Sequence, residues 1–176
     1  MPVAAEPTLF YMPYALFLDD VEAVARQIEA DDWQPDFLVG IGRGGLVPAA
    51  YLSHRLGIAM LSVDHSSGEA GFAGELLDKL AAKIRAGRRI LIVDDINDSG
   101  TTIAFIRAAI HAKGGDDAQL RVAVLVHNIR SRAKAEYVGT EIDRDADKRW
   151  FVFPWEALAP AATLIVEAVA VPERLA

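Results

Sequence analysis

The chain of 176 residues reads as one α/β domain, a doubly wound and mostly parallel sheet with flanking helices. Three observations predict this. Short apolar runs at 37–41, 58–63, 90–93 and 121–127 alternate with stretches of helical period. The runs are nearly continuous in Val, Ile and Leu, as in strands covered on both faces. At 90–102 an apolar strand passes through a short polar loop straight into a helix, the βα unit of such a sheet.

The elements follow in order. Asp19 and Asp20 open a helix whose apolar face is Val21, Val24, Ala25 and Ile28, and Trp33-Gln34-Pro35 ends it. Phe37–Ile41 is a buried strand, and Gly42-Arg43-Gly44-Gly45 is a tight loop. Val47–Leu56 reads as a helix with Pro48 in its first turn, where a missing N–H costs little, and Gly57 stops it. Ile58–Val63 is the next strand. Asp64–Gly74 is polar, Gly-rich and long, a candidate mobile loop. A helix over Leu76–Arg85 presents Leu76, Leu77, Leu80 and Ile84 on one side. A strand at 90–93, a helix at 101–113 and a strand at Arg121–His127 complete the alternation. Beyond residue 128 the pattern changes: Arg130, Arg132 and Lys134 are exposed types, and 143–149 reads as a solvated, mixed-charge loop. Trp150-Phe151-Val152-Phe153-Pro154-Trp155 then concentrates aromatics. No repeat or linker interrupts the chain, so 1–176 is expected to be one domain, with a core over about 19–128 and a small C-terminal addition over about 129–176.

Composition excludes several classes. Hydrophobic residues make up 52% and mean hydropathy is +0.20, a globular balance. No apolar run is long enough to span a membrane, and no signal peptide is recognisable. The absence of cysteine excludes disulfides and thiolate zinc sites and fits a cytoplasmic location. A net charge of −7 without a basic run argues against a nucleic-acid partner. No paired-His metal site or Ser-His-Asp arrangement follows from the spacings, and His54 and His111 read as structural.

The chemistry concentrates in Ile90-Leu91-Ile92-Val93-Asp94-Asp95-Ile96-Asn97-Asp98-Ser99-Gly100-Thr101-Thr102. Ligands of open α/β sheets bind outside the carboxyl ends of the strands. Helix N-terminal amides suit a phosphate, and carboxylates suit ribose hydroxyls or a hydrated Mg²⁺. Ser99, Gly100, Thr101 and Thr102 offer amides and hydroxyls, and Gly100 removes a Cβ from their path. Asp and Ser residues here also serve as ordinary caps. The Gly-rich turn at 40–48 is a weak signal alone and lacks dinucleotide-binding spacing. It lies on the same sheet edge, and Arg43 is a fixed cation suited to a diphosphate.

The strand, acidic pair and loop resemble the 5-phosphoribosyl-1-pyrophosphate (PRPP) signature of type I phosphoribosyltransferases. Arg43-Gly44-Gly45-Leu46-Val47-Pro48 is similar to the pyrophosphate loop of the xanthine-guanine and hypoxanthine members, and Trp150 to Glu156 to their base-binding hood. The resemblance covers about 19–156. It implies the type I fold with a hood at about 129–176, and Mg²⁺-dependent transfer from PRPP to hypoxanthine, guanine or xanthine in purine salvage. PRPP would be held by Arg43, Gly44, Asp94, Asp95 and Asp98 to Thr102, with Asp94 and Asp95 carrying the metal. Asp98, an acid in oxopurine members, would assist proton movement at the base, and Arg43 would stabilise the departing diphosphate. Trp150 would stack on the base, Phe151 would offer its carbonyl, and Glu156 would stand where the family has an acid. A non-proline cis peptide is expected near Arg43, and a homodimer or homotetramer as the assembly.

Two departures stand out. His127 falls where oxopurine members carry a Lys that contacts O6, and a neutral imidazole donates only one hydrogen bond. In the 64–74 loop only Ser66, Ser67 and His65 are suited to a diphosphate. Asn97 has no role readable from sequence. These departures leave open a PRPP-binding regulatory module without transfer, or a transferase for a non-purine acceptor.

Overall fold

The apolar runs become strands and the amphipathic stretches pack on both of their faces. The structure is a computed structural model that describes residues 7–63 and 72–171. In chain order the elements are β1 (Leu9–Tyr11), α1 (Tyr14–Glu29), β2 (Phe37–Ile41), α2 (Gly42–Leu56), β3 (Met60–Val63), α3 (Phe72–Arg85), β4 (Ile90–Asn97), α4 (Thr101–Ala112), β5 (Leu120–Asn128), β6 (Tyr137–Ile142), β7 (Trp150–Val152) and α5 (Ala161–Val169). The main sheet has five strands in the order β3-β2-β4-β5-β6, all parallel, and so extends past residue 128. A separate parallel pair joins β1 to β7, with Phe10 opposite Phe151.

Successive strand residues point to opposite layers. Leu38, Leu91, Val93 and Leu125 meet Phe17, Val24, Ile28 and Leu52 of α1 and α2. Val39, Ile90, Ile92 and Val122 meet the leucines and isoleucines of α3 and α4. The chain leaves β2 toward one edge and returns through α3 to β4 on the other side of β2. The crevice therefore lies between the carboxyl ends of β2 and β4, the topological switch point of this sheet.

Several expectations need correction. α1 starts at Tyr14, just after Pro13, whose fixed φ and missing N–H suit a helix entrance, so Asp20 is interior and buried. The Gly42–Gly45 segment is not a loop but the first turn of α2, which puts Pro48 beyond that turn. β4 continues to Asn97, so the acidic pair lies inside the strand. α3 starts at Phe72. β1, β6, β7 and α5 went unread, and every peptide bond among the described residues is trans, including those flanking Arg43. The candidate mobile loop, with His65, Ser66 and Ser67, lies outside the described residues except for its last three positions.

Candidate active site

Two βα turns converge on the switch point because glycines let them. A Cβ on Gly45 would sit 2.1 Å from the Val93 carbonyl oxygen, so only glycine lets α2 start directly against β4. A Cβ on Gly44 would sit 2.4 Å from Asp95 Oδ2, so the Asp95 carboxylate lies over the first turn of α2. The backbone N–H of Ile96 donates to Asp95 Oδ1 at 2.7 Å, and that of Asp95 donates to Asp94 Oδ1 at 3.0 Å. Both carboxylates are half-buried. Arg43, one residue before Gly44, is exposed and lines a cavity of about 350 Å³ with Leu46, Trp155, Glu156 and Thr163.

On the other flank Gly100, at φ +85°, turns the chain from β4 into α4. Any side chain there would meet the Ala133 backbone nitrogen at 2.6 Å. The hydroxyls of Ser99 and Thr101 are 2.9 Å apart, on a helix N-terminus whose first amides have no intrahelical acceptor. Asp95 thus lies over the start of α2, and β4 runs on from the acidic pair into the N-terminus of α4, an arrangement suited to a phosphorylated sugar with a divalent cation. Among the described residues no cluster of three or more His, Asp or Glu could hold a metal alone. Two adjacent carboxylates fit Mg²⁺, which takes one or two from protein and the rest from phosphate and water.

Residues 14–159 match the phosphoribosyl transferase domain. The chain belongs to the phosphoribosyl transferase family. Solved structures give the same fold. A purine phosphoribosyltransferase from Pyrococcus horikoshii Ot3 is 23% identical, with a TM-score of 0.60 over 84% of this chain and 93% of that one. The Helicobacter pylori xanthine-guanine-hypoxanthine phosphoribosyltransferase is 23% identical, with a TM-score of 0.63 over 83% and 92%. A hypothetical protein from Neisseria gonorrhoeae with bound ppGpp is 24% identical, with a TM-score of 0.65 over 96% and 97%.

In this phosphoribosyltransferase the remaining predicted residues divide into two groups. Asp98 and His127 lie at the ends of neighbouring strands, beside the acidic pair, with Asn97 opposite His127 in register. Asp98 is only 5% exposed and faces Arg144, equally buried, which donates through Nε at 3.1 Å and Nη2 at 2.9 Å. The 143–149 segment is therefore not simply solvated: its second residue, Arg144, is a buried cation. Trp150 is half-buried on β7, its backbone N–H donating to the Thr8 carbonyl at 2.8 Å. Phe151 is buried, its ring 5.4 Å from that of Phe10. Glu156 Oε2 accepts the Phe153 N–H at 2.9 Å and so holds the turn after β7, on the Arg43 side of the molecule.

Asn97 is 2% exposed and turns out to organise His127. Its Nδ2 donates to the Ala133 carbonyl at 2.7 Å, which fixes which end of the amide is nitrogen. The same Nδ2 lies 3.0 Å from His127 Nδ1. That imidazole nitrogen must then accept, so the neutral ring carries its proton on Nε2. Burial lowers the His127 pKa, with the Glu141 charge opposing, which favours the neutral form. Sequence carried no sign of Asn97's role, because its partners lie 30 and 36 residues away.

Proposed function

We propose that this phosphoribosyltransferase moves the 5-phosphoribosyl group of PRPP to a 6-oxopurine, with Mg²⁺, giving a nucleoside monophosphate and diphosphate. One observation carries the reading: the Asp95 carboxylate lies against Gly44 in the first turn of α2, and the strand that carries the acidic pair runs on into Ser99 to Thr102 at the start of α4. The 5′-phosphate would take the amides and hydroxyls of Ser99, Gly100, Thr101 and Thr102. The ribose hydroxyls and Mg²⁺ would take Asp94 and Asp95, and the diphosphate would lie toward Gly44 and Arg43. Mg²⁺, when bound, supplies positive charge to the departing diphosphate. The protein's part is to hold N9 of the base in line with C1 of the ribose and to keep Arg43 beside the leaving group.

Three features support an oxopurine. Asp98 offers a carboxylate at the loop where the imidazole edge of the base would lie, suited to its proton. His127 with Nε2–H offers a donor suited to a carbonyl such as O6. Trp150 offers an aromatic face for stacking, with the Phe151 carbonyl and Glu156 nearby in the chain. The two named purine enzymes among the similar structures agree with this choice. We place the enzyme in the cytoplasm as a homodimer or homotetramer, with no nucleic-acid or membrane partner.

The test is diphosphate release from PRPP and Mg²⁺ with hypoxanthine, guanine, xanthine, adenine, orotate and uracil offered separately. Release with an oxopurine alone is expected. A second reading has its own observation. The Neisseria gonorrhoeae protein, matched over 97% of its length, binds ppGpp, which joins a guanine nucleoside to diphosphate groups. A site of this kind can bind such a ligand without transfer. PRPP binding with no release to any base would favour that reading.

A further inference from the structure

We propose that Arg144 is a positioning residue for the transfer, the link that holds the PRPP loop and the Trp150 strand in one fixed relation. The proposal rests on the reading of Asp98 given above. Arg144 touches three segments at once. Its Nε and Nη2 donate to the Asp98 carboxylate, at the end of β4. Its Nη1 donates to the carbonyl oxygens of Asp147 at 3.1 Å and Arg149 at 2.6 Å, the second immediately before Trp150. Its backbone N–H donates to Asn128 Oδ1 at 3.2 Å, and Asn128 Nδ2 donates in turn to the Asp98 carbonyl at 3.1 Å. The guanidinium also lies 5.3 Å from the Phe151 ring centre.

Guanidinium is a planar fork with a fixed donor geometry. With one edge on Asp98 and another nitrogen on the backbone before Trp150, it turns a displacement of either into a displacement of both. Stability is a poor reason for this pair, because the desolvation of two buried ions offsets most of their attraction. Its effect is geometric: the carboxylate facing the base has one orientation, set from the strand that carries the stacking aromatic. Arg144 itself need not touch the substrate.

The experiment compares Arg144→Gln, Arg144→Lys, Asp98→Asn and the double variant Asp98→Asn/Arg144→Gln. For the two Arg144 single variants, calorimetry with Mg²⁺ and PRPP is expected to give dissociation constants close to that of the unaltered chain. The kcat/KM for the oxopurine is expected to fall about 100-fold in Arg144→Gln, the cost of a misplaced reacting group. Arg144→Lys keeps the charge without the fork and is expected to fall between. The double variant is expected to be no slower than Asp98→Asn, because the two residues act as a unit. It also leaves no unpaired buried charge, so the comparison survives if Arg144→Gln does not fold. Unchanged kcat/KM in Arg144→Gln, or losses that multiply in the double variant, would overturn the proposal. A second readout needs no transfer. The Trp150 emission change on adding PRPP, obtained by subtracting that of Trp150→Phe, is expected in the unaltered chain and lost in the folded Arg144 variants at saturating PRPP. Failure of every base in the panel would refute the oxopurine reading, whereas an emission change that persists in those variants would refute the link.

Discussion

Gly44→Ala tests whether Asp95 and the start of α2 form one PRPP site. The added Cβ would lie 2.4, 2.7 and 2.9 Å from Asp95 Oδ2, Cγ and Oδ1. Ordinary contact needs about 3.5 Å, so the two groups must part by about 1 Å. Neither yields easily. The helix cannot retreat sideways without disturbing Gly45, whose backbone packs on the Val93 carbonyl. The carboxylate cannot rotate without breaking its 2.7 Å bond from the Ile96 N–H. Overpacking of this kind costs about 1–3 kcal/mol of stability. A 1 Å displacement of a substrate-positioning group costs about 100-fold in rate, or about 2.7 kcal/mol. Calorimetry with Mg²⁺ and PRPP, followed by diphosphate-release kinetics, gives both numbers. Gly74→Ala is the control, since nothing lies within 4 Å of its added Cβ. If Gly44→Ala binds PRPP and releases diphosphate as well as the control does, Asp95 has no part in the site.

Thr101→Glu is expected to abolish PRPP binding while leaving the melting temperature unchanged or higher, because a carboxylate at the start of α4 repels phosphate but suits the helix dipole; undiminished PRPP binding in calorimetry would remove the loop from the site. Asn97→Ala leaves the Ala133 carbonyl, the Ser131 hydroxyl and His127 Nδ1 without their partner and is expected to cost about 1–3 kcal/mol in urea unfolding; a loss below about 0.5 kcal/mol would mean that water or a neighbour replaces the amide. Burial lowers the His127 pKa below its unfolded value, so the unfolded chain takes the proton first as pH falls. The stability contribution is present above the ordinary imidazole value of about 6.5 and is lost as pH drops through that range. His127→Gln should therefore lose less stability than the unaltered chain between about pH 7 and 5, and parallel unfolding curves would refute the assignment. Trp150→Ala is expected to raise the KM for the base about 5- to 150-fold, matching about 1–3 kcal/mol of stacking, with PRPP affinity unchanged; an unchanged KM would confine Trp150 to a structural role.

What the sequence made legible was what period and local chemistry encode. Parallel strands buried on both faces show as unbroken apolar runs, so β2, β4 and β5 were readable, and the acidic pair stood out against them. The first turn of α2 was not readable, because Gly42-Arg43-Gly44-Gly45 has low helix propensity. Those glycines answer to a tertiary demand, the contact with Val93 and Asp95 of a strand about 50 residues later. β1 and β7 are three residues each and pair across some 140 residues, so neither carries a period long enough to recognise. Arg144 is the sharpest case. Six charges in seven residues read as a solvated stretch, and only a partner 46 positions away makes one of them interior.

The charge balance explains why such partners matter. A chain with net charge −7 that grips a polyanion cannot do so with a basic surface. Two helix N-termini supply oriented amides, and Arg43 supplies one exposed cation with no ion-pair partner among the described residues. Against them stand Asp94, Asp95 and Asp98 within five residues of chain. Asp98 is offset by Arg144, which is committed to it and so takes no share of the phosphate charge. A diphosphate brought beside the Asp94 and Asp95 carboxylates is repelled unless a divalent cation comes with it. On the proposed chemistry Mg²⁺ dependence then follows from the protein's own electrostatics. PRPP affinity should collapse when Mg²⁺ is withdrawn and recover in part, without metal, in Asp94→Asn/Asp95→Asn. An affinity for PRPP that is equally weak with and without that double substitution in the absence of metal would show that the acidic pair does not face the diphosphate.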